Sequence, residues 1–153
     1  MAKIILNETQ TFFCPDDSRS NRYVFFTVPE GTEKLCITYS YSPKNLEDKE
    51  KSYELIRENI LRDAPEDIDR YTDYGEFLPL KNLVTLSLDS PEEFRGAAHR
   101  HDKEQYHEIG EDFASPGFLR GKIIPGRWRL SFNVHAVVTD ICTCRIRIEG
   151  EAH

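Results

Sequence analysis

Hydrophobic and polar residues alternate along several stretches of the chain, and the cleanest alternation lies at 127–135. There Trp128, Leu130, Phe132 and Val134 fall on one side of an extended backbone. Arg127, Arg129, Ser131, Asn133 and His135 fall on the other. A strand with one face on a core and one face in water has this pattern. Residues 34–41 alternate likewise, with Leu35, Ile37, Tyr39 and Tyr41 on one side, and so do residues 142–149. Shorter β-branched or aromatic runs at 22–28 and 83–88 stop at Pro29-Glu30-Gly31-Thr32 and Asp89-Ser90-Pro91, both turn sequences. Weaker strands are expected at 9–14, 94–99, 105–110 and 118–124, where Gly96 suggests a bulge or close packing.

The period changes near residue 47. Residues 47–62 are rich in helix formers, and Tyr53, Ile56 and Ile60 share one helical stripe. Ala64-Pro65 ends the helix, and 66–79 reads as an acidic loop dotted with tyrosines. Roughly eight short strands joined by Gly, Pro and Asp turns predict a mainly β fold, an antiparallel β-sandwich or jelly roll. It is read as one domain over residues 1–153, with one helical insertion at about residues 47–63.

Composition narrows the classes of function. The chain of 153 residues is long enough to bury a core without metals or disulfides. A net charge of -7 argues against a general nucleic-acid or anionic-membrane binder. No apolar run approaches the roughly 20 residues that span a bilayer. The apolar stretch at 4–6 is far shorter than a secretory h-region, so a cytoplasmic address is expected. Cys14, Cys36, Cys142 and Cys144 sit in apolar, strand-like contexts and read as reduced core thiols. Cys142-Thr143-Cys144 lacks both the spacing and the second pair that a zinc ribbon needs.

Two sets of phrases carry a resemblance. Tyr23-x-Phe25-x-x-Val28-Pro29-x-Gly31-Thr32-x-x-Leu35-x-Ile37 and Pro125-Gly126-x-Trp128-x-Leu130 resemble bacterial pre-peptidase carboxy-terminal β-sandwich domains. Leu86-x-Leu88-x-Ser90-Pro91, Phe94-Arg95-Gly96 and the run from Ala114 through Pro116-Gly117 and Pro125-Gly126 to Trp128 are more similar to a related module. That module precedes the metallohydrolase domain in proteins of the polymerase-and-histidinol-phosphatase type. The resemblance spans Tyr23 to Ile148 outside the helical insertion, and it implies a non-catalytic accessory domain whose hydrolase chemistry lies in another domain. His99-Arg100-His101-Asp102 resembles a metal-binding His-x-His, but no downstream ligands follow it, so the resemblance assigns it no hydrolysis.

Read from the residues alone, His99, His101 and His107 are the best chemical cluster. On a strand and returning hairpin they could hold zinc, with Asp102 or Glu108 adding oxygen, or they could line a solvated strand face. Asp63, Glu66, Asp67, Asp69, Asp73 and Glu76 offer oxygen ligands for calcium without the fixed spacing of an EF-hand, and Tyr71, Tyr74 and Phe77 could pack on a partner. No nucleophile elbow, phosphate loop or dinucleotide fingerprint occurs. Arg95 and Trp128 read first as fold residues, Trp128 filling the core and Arg95 satisfying a loop carbonyl or a carboxylate. A ligand-facing role for these two and for Arg127 is the alternative. Three functions follow: a non-catalytic module binding a saccharide, a peptide or a hydrolase partner, a small metal-binding protein or metal-dependent hydrolase using the histidines, or a structural homodimer.

Overall fold

Two four-stranded antiparallel sheets face each other across a core built from the inward residue of every second position. The structure, a computed structural model, describes residues 2–68 and 74–152. In chain order the strands are β1 (Ala2–Phe13), β2 (Ser20–Val28), β3 (Thr32–Ser42), β4 (Asn45–Leu46), β5 (Leu80–Lys81), β6 (Leu83–Asp89), β7 (Phe94–Ala98), β8 (Glu104–Gly110), β9 (Gly126–Ala136) and β10 (Cys142–Ala152). The first sheet runs β1-β10-β3-β8 and the second β2-β9-β6-β7. Strands β1 with β10, β2 with β9, β3 with β8 and β6 with β7 form nested antiparallel pairs, the winding of a jelly roll.

The alternation of the sequence becomes burial. Trp128, Leu130, Phe132 and Val134 of β9 meet Leu35, Ile37, Tyr39 and Tyr41 of β3 across one continuous core. Phe132 lies at the centre, with ring centroids 5.9 Å from Phe13 and 6.0 Å from Tyr39. Each such side chain contributes about 1.5–3 kcal/mol when taken fully out of water. The Tyr39 hydroxyl donates to the Val84 carbonyl at 2.7 Å and so ties the first sheet to the second without leaving a buried donor idle.

Helix α1 (Lys49–Asp63) rides on the sandwich rather than in it. Asp48 caps its amino end by accepting from the Lys51 amide at 3.1 Å, and only Ser52 and Ile56 are buried along it. The short β4–β5 ribbon closes the insertion where the chain passes from β3 to β6. Asn82 anchors this closure: its side chain donates to the Pro43 carbonyl and the Thr139 hydroxyl and accepts from the Val138 amide at 2.7 Å. Among the described residues no helix is long and apolar enough to cross a membrane.

Two expectations need correction. The first strand starts at Ala2, not near residue 9, because a register shift between Ile5 and Asn7 turns Ile4 and Ile5 toward solvent and destroys the alternation. Residues 118–124 form no strand, being held to β7 by one bridge between Gly96 and Phe118. The carbonyls of Leu119, Gly121 and Lys122 are taken by the Arg95 side chain instead of a neighbouring strand.

Candidate functional site

Arg95 is inward-pointing and only 1% exposed. Its guanidinium donates to the carbonyls of Leu119, Gly121 and Lys122 at 2.9–3.2 Å, and its Cζ sits 5.3 Å from the centre of the Trp128 ring. Burial lowers its pKa from the usual arginine value. Trp128 is 0% exposed and donates its Nε1–H to the Ile124 carbonyl at 2.7 Å. Both side chains are therefore spent on the 116–125 loop, and neither presents itself to a ligand. Gly96 and Gly117 permit the packing: a Cβ on Gly96 would stand 2.4 Å from the Gly117 carbonyl oxygen, and φ is +109° there.

The three histidines of the sequence cluster part company. Strands β7 and β8 belong to different sheets, so the segment between them crosses the sandwich instead of forming a hairpin. His99 and His101 lie exposed on that crossing, whereas His107 points into the core at 2% exposure. Its Nε2–H donates to Gln105 Oε1 at 2.9 Å, since that oxygen can only accept, and its ring meets Phe118 edge-on at 5.0 Å. Burial first, and the nearby Arg100 charge second, lower its pKa below 6.5. Glu108 accepts from the Tyr106 hydroxyl at 3.0 Å and Asp102 pairs with Arg100 at 3.6 Å. Among the described residues no three His, Cys, Asp or Glu side chains converge on a point that could hold a metal ion. Of the acidic segment, Asp63 pairs with Arg62 at 3.1 Å and Tyr74 packs edge-on to Tyr53 at 5.8 Å. Asp69, Tyr71, Asp73 and the side chain of Glu76 lie outside the described residues. Three of the four thiols are buried, but Cys14 is exposed.

Of Arg95, Trp128 and Arg127, only Arg127 reaches the surface, and the sheet it stands on presents an ordered array. On the outer face of the second sheet, Thr27 opposes Arg127, Phe25 opposes Arg129, Tyr23 opposes Ser131 and Asn21 opposes Asn133. Across β9 the rows continue to Asp89, Ser87 and Thr85 of β6. Each arginine leans diagonally toward the next aromatic ring: Arg127 Cζ lies 4.2 Å from the centre of Phe25, and Arg129 Cζ 4.4 Å from that of Tyr23. The rings are 47% exposed, so the guanidiniums cover ring faces that would otherwise meet water.

The charges on this face are unequal in their partners. Arg129 donates to Asp89 Oδ2 at 3.1 Å. Among the described residues no carboxylate pairs with Arg127, whose exposed guanidinium rests on Phe25 alone. At the far end His135 shares a 2.8 Å hydrogen bond with the Thr85 hydroxyl, and its ring centroid is 6.2 Å from that of His99. Burial, and then His99 and His101, lower the His135 pKa, so the imidazole is neutral at pH 7. A hollow beside it is lined by Arg19, Asn21 and Asn133. The eight residue steps from Arg127 to His135 give the array a length of about 26 Å. Stacked guanidiniums with amides and hydroxyls give this face a row of hydrogen-bond donors and acceptors.

The aromatic members Tyr23 and Phe25 were visible in sequence as strand residues and as part of the resemblance, not as site residues. Their pairing with arginines a hundred positions later required the β2–β9 register. No protein-family model matches the chain, and no curated protein matches it. Among solved structures it is similar to a protein from Sulfurospirillum deleyianum, at 7% identity over 92% of this chain and 96% of that one, with a TM-score of 0.32.

Proposed function

We propose that this chain is a non-catalytic binding module that holds an extended saccharide on the outer face of its second sheet. The observation that carries the reading is the row of Arg127 and Arg129 stacked on Phe25 and Tyr23, continued by Asn21, Asn133 and Ser87. Planar cations fixed by ring contacts lose little freedom on binding, and amide and hydroxyl groups match the donors and acceptors of a polyol. The jelly-roll winding supports it by analogy, since lectins are among the proteins that use it. The resemblance to accessory modules of metallohydrolases points the same way, toward a domain that localises a substrate for chemistry performed elsewhere.

The test is retention on immobilised neutral and acidic polysaccharides, followed by titration calorimetry. The double variant Tyr23→Ala/Arg129→Ala loses retention, while Arg145→Ala on the outer face of the opposite sheet keeps it. Equal loss from both variants, or turnover of a glycan by the isolated chain, sinks the proposal.

A further inference from the structure

Resting on that reading, the geometry points to a carboxylate-bearing saccharide, a uronate polymer, as the occupant of the second sheet's outer face. Modules that select neutral sugars leave aromatic rings bare, so that sugar C–H groups can lie on them. Here the two candidate rings already carry guanidiniums at 4.2 and 4.4 Å. What remains outward is the N–H rim of each arginine, which hydrogen-bonds a carboxylate in two-pronged fashion.

Charge complementarity selects the same class. The protein carries a net -7, yet this face gathers Arg127 and Arg129, with Arg19 at the far hollow; Asp89 pairs with Arg129, and Asp63 lies within electrostatic reach of Arg19. Asp89 occupies Arg129 on one side only, through a single oxygen, Oδ2. Among the described residues no carboxylate pairs with Arg127, whose guanidinium lies on the Phe25 ring. A strand that sets two arginines on its outer face suits a chain with acids at intervals. The polar intervals supplied by Ser87, Asn133 and Asn21 suit ring hydroxyls between those acids rather than the amide backbone of an acidic peptide.

Calorimetric titration with oligomers of galacturonate, of alginate uronates and of glucuronate-containing hyaluronate, each beside its methyl-esterified form of equal length, decides the matter. At least one acidic oligomer binds, its ester binds at least tenfold more weakly, and affinity falls as salt rises from about 50 to 200 mM. Arg127→Gln lowers the affinity by about tenfold or more, Arg127→Lys recovers part of it, and near-ultraviolet circular dichroism from Trp128 stays unchanged in both. Equal binding of acid and ester, or binding of neutral glycans only, overturns the acidic class and leaves the binding-module reading standing. Poly-glutamate binding as tightly as any uronate overturns the saccharide. Failure of every acidic and neutral glycan overturns this inference and the reading beneath it together.

Discussion

Replacing Arg95 by Met keeps an apolar stem beside Trp128 but removes the guanidinium that organises the 116–125 loop. Three carbonyls, of Leu119, Gly121 and Lys122, then lose a charged donor. A buried acceptor left without a partner costs roughly 1–3 kcal/mol, so three would cost about 3–9 kcal/mol if none found water. Against this stands relief from burying a charge, worth several kcal/mol. Water can also reach the loop carbonyls, since Leu119 is half exposed. The balance is a loss of about 2–4 kcal/mol, a large share of the roughly 5–15 kcal/mol that holds a domain folded. For a chain of this size that lowers Tm by roughly 10 °C, read by scanning calorimetry. Arg95→Lys recovers less than half, because one ammonium cannot span three carbonyls. Hydrogen exchange must show the damage centred on 116–125. A Tm within about 2 °C of the parent, or lost protection spread evenly over both sheets, refutes the reasoning.

Gly96→Ala should be worse than Arg95→Met, since the new methyl meets the Gly117 oxygen at 2.4 Å at a φ of +109°, while Gly110→Ala, with its nearest contact at 3.4 Å, stays within about 1 kcal/mol of the parent by urea denaturation. His107 is held neutral, its pKa below that of the unfolded chain, so the unfolded state takes up the proton first as pH falls. Stability is therefore full above about pH 6.5 and declines below it, and His107→Leu flattens part of that slope between about pH 7 and 5 in melts at stepped pH; an unchanged slope removes His107 as its source. A thiol reagent should label Cys14 quickly and Cys36, Cys142 and Cys144 only on unfolding, which mass spectrometry reads directly.

Legibility in the sequence tracked how local the governing physics is. The inward teeth of β3 and β9 were readable because burial on one face of a strand imposes a two-residue period whatever lies opposite. The helix was readable from composition and from the break at Pro65. The start of β1 was not, because a bulge resets the period at Leu6. Residues 118–124 misled because Phe118 and Ile123 are buried, as strand residues would be, while their backbone is satisfied by Arg95 rather than by a ladder. His107 was legible as a polar residue but not as a core one, since its phase is set by Ile109 on the same strand face. The Arg127–Phe25 contact depends on register between strands far apart in the chain, which no local pattern encodes.

The winding order also governs how the protein comes into being on the ribosome. β9 and β10, interior strands of their respective sheets, are synthesised after the other strands of the sandwich, and among the described residues β1 and β2 have them as their only ladder partners. Until they emerge, β1 and β2 are unpaired and neither sheet can close, so the nascent polypeptide carries exposed, adhesive segments while the residues up to 125 are made. Productive collapse must therefore be a late, concerted event, and a ribosome stalled before residue 126 would release a chain fit for proteolysis rather than for a partly working domain.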